Sequence, residues 1–167
     1  RGVIKIYDFS FESPKLILQT LTNAKGNIFR LTYHSPSHQL IYSGYDDDNV
    51  YTFDLNTKKE QLKFHYQNFN YHFNAMLVTD WSNDGLLELI VPGKILSLES
   101  GEVIIENSEK VTGSDITLAD VDGNKTNEIV IGNDIFSGID YSLLYSTSSS
   151  SSNLAVQDID NDGKAEI

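Results

Sequence analysis

Asp158-Ile159-Asp160-Asn161-Asp162-Gly163-Lys164-Ala165-Glu166 places acidic side chains at positions 1, 3, 5 and 9 of a nine-residue stretch built around one glycine. A hard cation such as Ca2+ takes about six to eight oxygens. Carboxylates at those positions, with the backbone carbonyl of position 7, wrap one ion if the chain turns sharply between them. Gly163 stands where that turn needs a residue without a Cβ. A single acidic turn between strands is commonly only a solvated turn held by Asx hydrogen bonds.

Repetition separates the two readings. Asp120-Val121-Asp122-Gly123-Asn124-Lys125-Thr126-Asn127-Glu128 and Asp80-Trp81-Ser82-Asn83-Asp84-Gly85-Leu86-Leu87-Glu88 are weaker copies, with a period of about 40 residues. The same apolar frame surrounds them: Met76 to Thr79 and Leu89 to Val91, Ile116 to Ala119 and Ile129 to Ile131, and Leu154 to Gln157 before the last copy. Each loop therefore joins two short strands. A period of this size indicates stacked or radially arranged units, none of which buries its apolar face without its neighbours.

Working outward, alternating apolar residues predict strands over 3–8, 15–20, 27–33, 39–43, 50–54 and 61–64. The next two groups are 75–80, 87–91, 94–98, 102–106, and 116–120, 128–132, 134–137, 141–146. A further pair begins at Leu154. Ser35-Pro36-Ser37, Gly44 to Asn49, Asn56 to Lys58, Pro92-Gly93 and Ser100-Gly101 supply the turns. Grouped in fours, the strands give an all-β chain with the strand density of a β-propeller of four-stranded antiparallel blades. About four blade-equivalents are expected, read as a segment of a larger propeller: a half blade over 1–26, blades over 27–74, 75–115 and 116–153, and the start of a blade over 154–167. The incomplete first and last units are complementary in kind. The serine run from Ser146 to Ser152 falls between two units and reads as a connector.

Composition bounds the function. The chain of 167 residues has a formal net charge of −12, which disfavours nucleic acid and anionic membrane surfaces as partners and suits cation binding. With no cysteine, disulfides, thiolate metal sites and cysteine nucleophiles are excluded. No apolar run is long enough to span a bilayer, so direct membrane insertion is not expected.

At the three loops the sequence resembles the FG-GAP repeats of integrin-α-like propellers and the related VCBS repeats, whose shared core is D-x-[DN]-x-D-G-x-x-[DE] between two hydrophobic strands. The resemblance covers residues 75–167 and lies in the cation loop and the blade period; the Phe-Gly and Gly-Ala-Pro signatures are absent. It implies calcium ligands at Asp158, Asp160, Asp162 and Glu166, with the Lys164 carbonyl as a fifth. The corresponding positions are Asp120, Asp122, Asn124, Thr126 and Glu128 in the second loop, and Asp80, Ser82, Asp84, Leu86 and Glu88 in the first. Ser82 replaces a carboxylate, Asn124 an aspartate and Lys125 a glycine, so the expected order of calcium affinity falls from the loop at 158 to that at 120 to that at 80. Residues 50–62 resemble instead the outer hairpin of quinoprotein-like propeller repeats, with Lys58 where glycine is usual and Leu62 where tryptophan is usual.

The remaining polar residues have plainer readings. His34 and His38 would pair as zinc ligands on a helix, but Pro36 between them opposes one. Asn124-Lys125-Thr126 is also an N-glycosylation acceptor, a use that competes with metal ligation. Trp81 is expected to pack over a neighbouring unit. No phosphate loop, nucleophile elbow or Ser/His/Asp constellation is assembled by the spacings, which counts against an enzyme. The alternatives kept open are a propeller enzyme, such as a polysaccharide lyase or a degenerate quinoprotein, and an intracellular trafficking-complex propeller.

The expectation is a calcium-stabilised scaffold or recognition module, extracellular or at the cell surface, that binds a protein or glycan and joins further blades of the same chain. In a propeller the loops between first and second strands share one face. Tyr45, Asp46, Asp47, Asp48, Phe69 and Tyr71 fall in turns and connectors of the opposite face and are the expected partner contacts.

Overall fold

The computed structural model describes residues 2–10, 13–26, 28–44, 49–65, 75–107, 111, 113, 115–146 and 155–167, the side chains of 28 and 29 excepted. The chain divides into two compact units, Arg1–His72 and Phe73–Ile167. All regular structure among the described residues is strand; no helix occurs.

In the first unit, β1 (Val3–Asp8) and β2 (Lys15–Leu21) form a two-stranded antiparallel sheet. A four-stranded antiparallel sheet follows in simple up-and-down order: β3 (Ile28–His34), β4 (Gln39–Gly44), β5 (Asn49–Asp54) and β6 (Lys59–His65). Alternation in β1 turns Ile4 and Ile6 inward, and they pack with Leu18 of β2 against Leu40, Tyr42, Tyr51 and Phe53 of the second sheet. Residues 40 to 44 of β4 and 50 to 53 of β5 are buried without alternation, which marks them as strands covered on both faces. Tyr42 and Tyr51 stack at 5.7 Å. The Tyr42 hydroxyl donates to Glu60 of β6, which also accepts from the backbone and side-chain nitrogens of Asn23. Glu60 thereby ties the segment after β2 to the sheet. Burial and the Glu60 carboxylate push the Tyr42 phenol far above the ordinary tyrosine range.

The second unit repeats the plan twice. One sheet is β7 (Leu77–Thr79), β8 (Glu88–Val91), β9 (Lys94–Ser97) and β10 (Val103–Glu106). The other is β11 (Ile116–Ala119), β12 (Glu128–Ile131), β13 (Asp134–Phe136) and β14 (Leu143–Ser146). Their facing surfaces close one core of Ile90, Ile95, Ile129, Ile131, Phe136 and Tyr141. Every residue of the second strands β8 and β12 is buried, whereas the fourth strands β10 and β14 are largely exposed. Beyond β14 the tail contributes one antiparallel bridge, Gln157 with Glu166, around the third acidic loop.

Equivalent places in the repeats carry equivalent irregularities. The β1–β2, β5–β6, β9–β10 and β13–β14 pairs each contain a register shift, the local device that sharpens twist. In the turns after β9 and β13 the same backbone bonds recur: Gly101 N to Ser97 O and Ser97 N to Glu102 O, then Tyr141 N to Ser137 O and Ser137 N to Ser142 O. Lys58, Gly101 and Tyr141 take the left-handed conformation at matching positions, with φ of 56°, 76° and 60°.

Strands stand where the apolar periodicity predicts them, differing by a few residues at their ends. The largest differences are of about two residues, at the starts of β6 (Lys59), β7 (Leu77) and β14 (Leu143), the last because Tyr141 and Ser142 complete the preceding turn. Leu154 lies outside the described residues.

Candidate metal-binding loops

Each acidic loop leaves a first strand and enters a second, so its ninth residue is already paired in the sheet: Thr79 faces Glu88, Ala119 faces Glu128, and Gln157 faces Glu166. Within the loop the carboxylate of position 1 collects backbone donors. Asp80 accepts from the nitrogens of Asp84 and Gly85, Asp120 from Gly123, Asn124 and Lys125, and Asp158 from Asp162 and Gly163, all within 3.2 Å. The position 9 carboxylate reaches back to the nitrogen of position 2: Glu88 to Trp81 at 2.7 Å, Glu128 to Val121 at 2.9 Å and Glu166 to Ile159 at 2.8 Å. Position 5 makes an Asx turn to position 7 in every copy, through Asp84, Asn124 and Asp162. The Asx bonding expected of a plain solvated turn is thus present, and the same carboxylates hold the loop in shape.

Backbone geometry is equally regular. Position 4 is left-handed at Asn83, Gly123 and Asn161 (φ 57°, 81° and 61°), and position 6 at Gly85, Lys125 and Gly163 (φ 87°, 70° and 90°). Glycine takes this conformation freely, while a residue with a Cβ is strained in it. Lys125 is therefore a strained member of a glycine position.

Asp120, Asp122 and Glu128 bring one carboxylate oxygen each to within 4.8 Å of one another, and so do Asp158, Asp160 and Glu166. Three convergent carboxylates fit a divalent cation, since each oxygen keeps a lone pair beside its N–H bond. Two unit charges 4 Å apart repel by about 1 kcal/mol in water and about 4 kcal/mol at the effective dielectric near a protein surface, which a cation reverses. Glu128 is 2 % exposed, so its charge has little water to spread into.

The first loop forms no such trio among the described residues. Ser82 takes the place of the third carboxylate, and Glu88, also 2 % exposed, is occupied by Trp81 N, Ser82 N and the Ser82 hydroxyl. Asp162, Asn124 and Asp84 lie at the loop tips engaged in their Asx turns, outside the trios. For position 7, at Lys164, Thr126 and Leu86, the backbone nitrogen closes that turn.

Neighbouring loops touch. Ala165 N donates to Asp120 O at 2.8 Å, and a Cβ on Gly123 would lie 3.0 Å from the Lys164 side chain. Tyr141, which the sequence reading passed over, joins the two sheets of this unit. Its hydroxyl donates to Val91 O at 3.1 Å and accepts from Gly93 N at 3.0 Å, while its carbonyl accepts from Asn107 Nδ2 at 2.7 Å. Burial raises its phenol above the ordinary tyrosine range, against the lowering effect of the Gly93 N–H. Its alignment with Gly101 at a left-handed turn position was the available signal.

Trp81 is partly buried and packs against the core of Ile90, Ile95, Ile129, Ile131, Phe136 and Tyr141, to which both sheets contribute. His34 Nδ1 pairs with the Ser37 hydroxyl at 2.7 Å and His38 Nδ1 with the Tyr33 hydroxyl at 3.3 Å, in a turn rather than on a helix. Tyr45, Asp46, Asp47, Asp48, Phe69 and Tyr71 lie outside the described residues, as does most of the serine run.

Fold and loops together define an all-β chain of repeated antiparallel sheets with acidic first-to-second strand loops. Among solved structures it is similar to the crystal structure of the V. cholerae biofilm matrix protein Bap1, with a TM-score of 0.56 and 20% sequence identity. The likeness covers 76% of this chain and 23% of that one, so this chain spans under a quarter of the Bap1 chain. At that identity the likeness is one of fold. No protein-family model and no curated protein matches the chain.

Proposed function

We propose that this chain is a segment of a calcium-stabilised β-propeller that serves an extracellular protein as a scaffold and recognition module. The observation that carries the reading is the repeated loop geometry, with three carboxylates converging in the loops at 120 and 158. The four-stranded sheets in constant up-and-down order support blades. The fold likeness to a biofilm matrix protein supports an extracellular setting. Calcium here is structural: it neutralises carboxylates that the −12 chain otherwise holds against one another. Partner contacts are proposed on the opposite face, at Tyr45, Phe69 and Tyr71, with Asp46, Asp47 and Asp48 favouring a basic group on the partner.

Thermal unfolding with chelator and with millimolar calcium tests the proposal. Calcium at about 100 times its Kd adds about 2.7 kcal/mol, which raises the midpoint of a chain this size by several degrees. Asp158→Ala with Asp160→Ala removes much of that gain, whereas Tyr45, Phe69 and Tyr71 changed to Ala leave it intact. A midpoint that ignores calcium overturns the proposal.

A further inference from the structure

Between the first and second acidic loops lies a cleft of about 430 Å³, walled by Asp80, Trp81 and Asn83 on one side and by Leu118, Lys125 and Asn127 on the other. This volume falls in the range of about 300–1,000 Å³ usual for small-molecule sites. The repeat itself does not dictate a cleft at this place. At the equivalent junction between the second and third loops, the chain closes the gap with the Ala165 N to Asp120 O bond and lays the Lys164 stem over Gly123. Asn127 is the counterpart of Ala165, and among the described residues it makes no such bond to Asp80.

One wall is held to close tolerance. A Cβ on Gly138, which also lines the cleft, would stand 1.8 Å from Asn127 O, so the backbone of the turn after β13 is pressed against the second loop. Trp81 adds an unusual feature: its indole Nε1 is buried and has no acceptor in the protein. Buried donors are paired in the great majority of cases, and an exception in a residue lining a cleft calls for an account.

The chemistry of the lining selects among ligands. Asp80 and Lys125 place one charge of each sign on facing loops, which repels neither a cation nor an anion as a class and rewards neither strongly. Two carboxamides and the Thr126 hydroxyl offer both donors and acceptors. Trp81 and Leu118 offer apolar surface. Paired donors and acceptors beside an aromatic wall, without net charge, complement a polyhydroxylated ring that carries hydroxyls at its rim and C–H groups on its face.

We propose that this cleft is a binding site for a neutral saccharide, with Asn83 and Asn127 bonding hydroxyls and Trp81 forming the apolar wall. It lies among the acidic loops and goes beyond the scaffold reading.

Trp81 is the only tryptophan of the chain, so its emission reports on the cleft directly. The experiment titrates the intact protein, calcium-saturated and again with chelator, with maltose, cellobiose and lactose up to about 100 mM, a range that reaches millimolar Kd values. Saturation-transfer NMR on the same samples provides a second readout. The expected result is a saturable change in Trp81 emission with at least one disaccharide, matched by saturation transfer to its ring protons. Asn127→Ala should weaken this binding about tenfold with the thermal midpoint unchanged, and Asn83→Gly, which suits the left-handed backbone there, should do the same. Absence of both signals with all three sugars overturns the proposal. So does an equal response to acetate or butylamine, which would make the cleft a charge site. Loss of the calcium effect on the midpoint with sugar binding retained would overturn the metal reading and leave this one standing.

Discussion

Lys125 occupies a position that Gly85 and Gly163 fill in the sister loops, at φ of 70° against 87° and 90°. A side chain there costs about 1–2 kcal/mol relative to the right-handed regions, and glycine returns part of this as entropy lost from the unfolded chain. Lys125→Gly is therefore expected to stabilise by about 0.5–1 kcal/mol, raising the unfolding midpoint by about 1–4 °C in a chain this size. A calorimetric scan checks it, and a lowered midpoint contradicts the strain account. Lysine keeps its place despite that strain, and the residue lines the cleft with Trp81.

At the scale of the element, one side chain joins two sheets. Tyr141 sits in the turn between β13 and β14, yet its hydroxyl satisfies Val91 O and Gly93 N at the β8–β9 turn. Tyr141→Phe keeps the ring against Phe136, at 5.0 Å between centroids, and leaves both backbone groups without their partner. Val91 is fully buried and Gly93 only partly so, and an unpaired buried group costs about 1–3 kcal/mol. The expected loss is about 2 kcal/mol, read as a shift of the urea midpoint at constant slope. Tyr141→Ala removes the ring as well and costs more, about 3–5 kcal/mol. A Phe variant with the wild-type midpoint would show that the hydroxyl bonds contribute nothing.

For the whole molecule, acid is the condition that tests the carboxylates. Hydrogen bonds hold three carboxyls below the usual range: Asp8 through the Ser10 hydroxyl and nitrogen, Asp54 through the nitrogens of Thr57 and Asn56, and Asp140 through the Ser142 hydroxyl and nitrogen. A carboxyl whose folded pKa is depressed contributes stability that is complete above its unfolded pKa and is lost as pH falls through the folded value. The midpoint in chelator is expected to be flat above about pH 5 and to fall below about pH 4. Asp54→Asn should make that fall shallower. In calcium the fall should begin from a higher midpoint and be steeper, because protons and the cation compete for the same oxygens.

Local order was legible from residue types alone. Period-two apolar runs placed the strands, and Asp-x-Asp with a following glycine placed the loops, because backbone turns and strand faces depend on neighbours a few residues apart. Loop identity was readable for the same reason: Asp80, Asp120 and Asp158 all accept from the backbone nitrogen five residues further along their own loop. What those loops do to each other was not readable. Whether a junction between loops closes or opens depends on contacts between segments about 40 residues apart in a repeating chain. Ala165 closes one junction and Asn127 leaves the other open. Tyr141 reads as the start of a strand over 141–146 until the facing sheet supplies Val91 and Gly93 to its hydroxyl. Those outcomes belong to the packing of sheet on sheet, which no local pattern encodes.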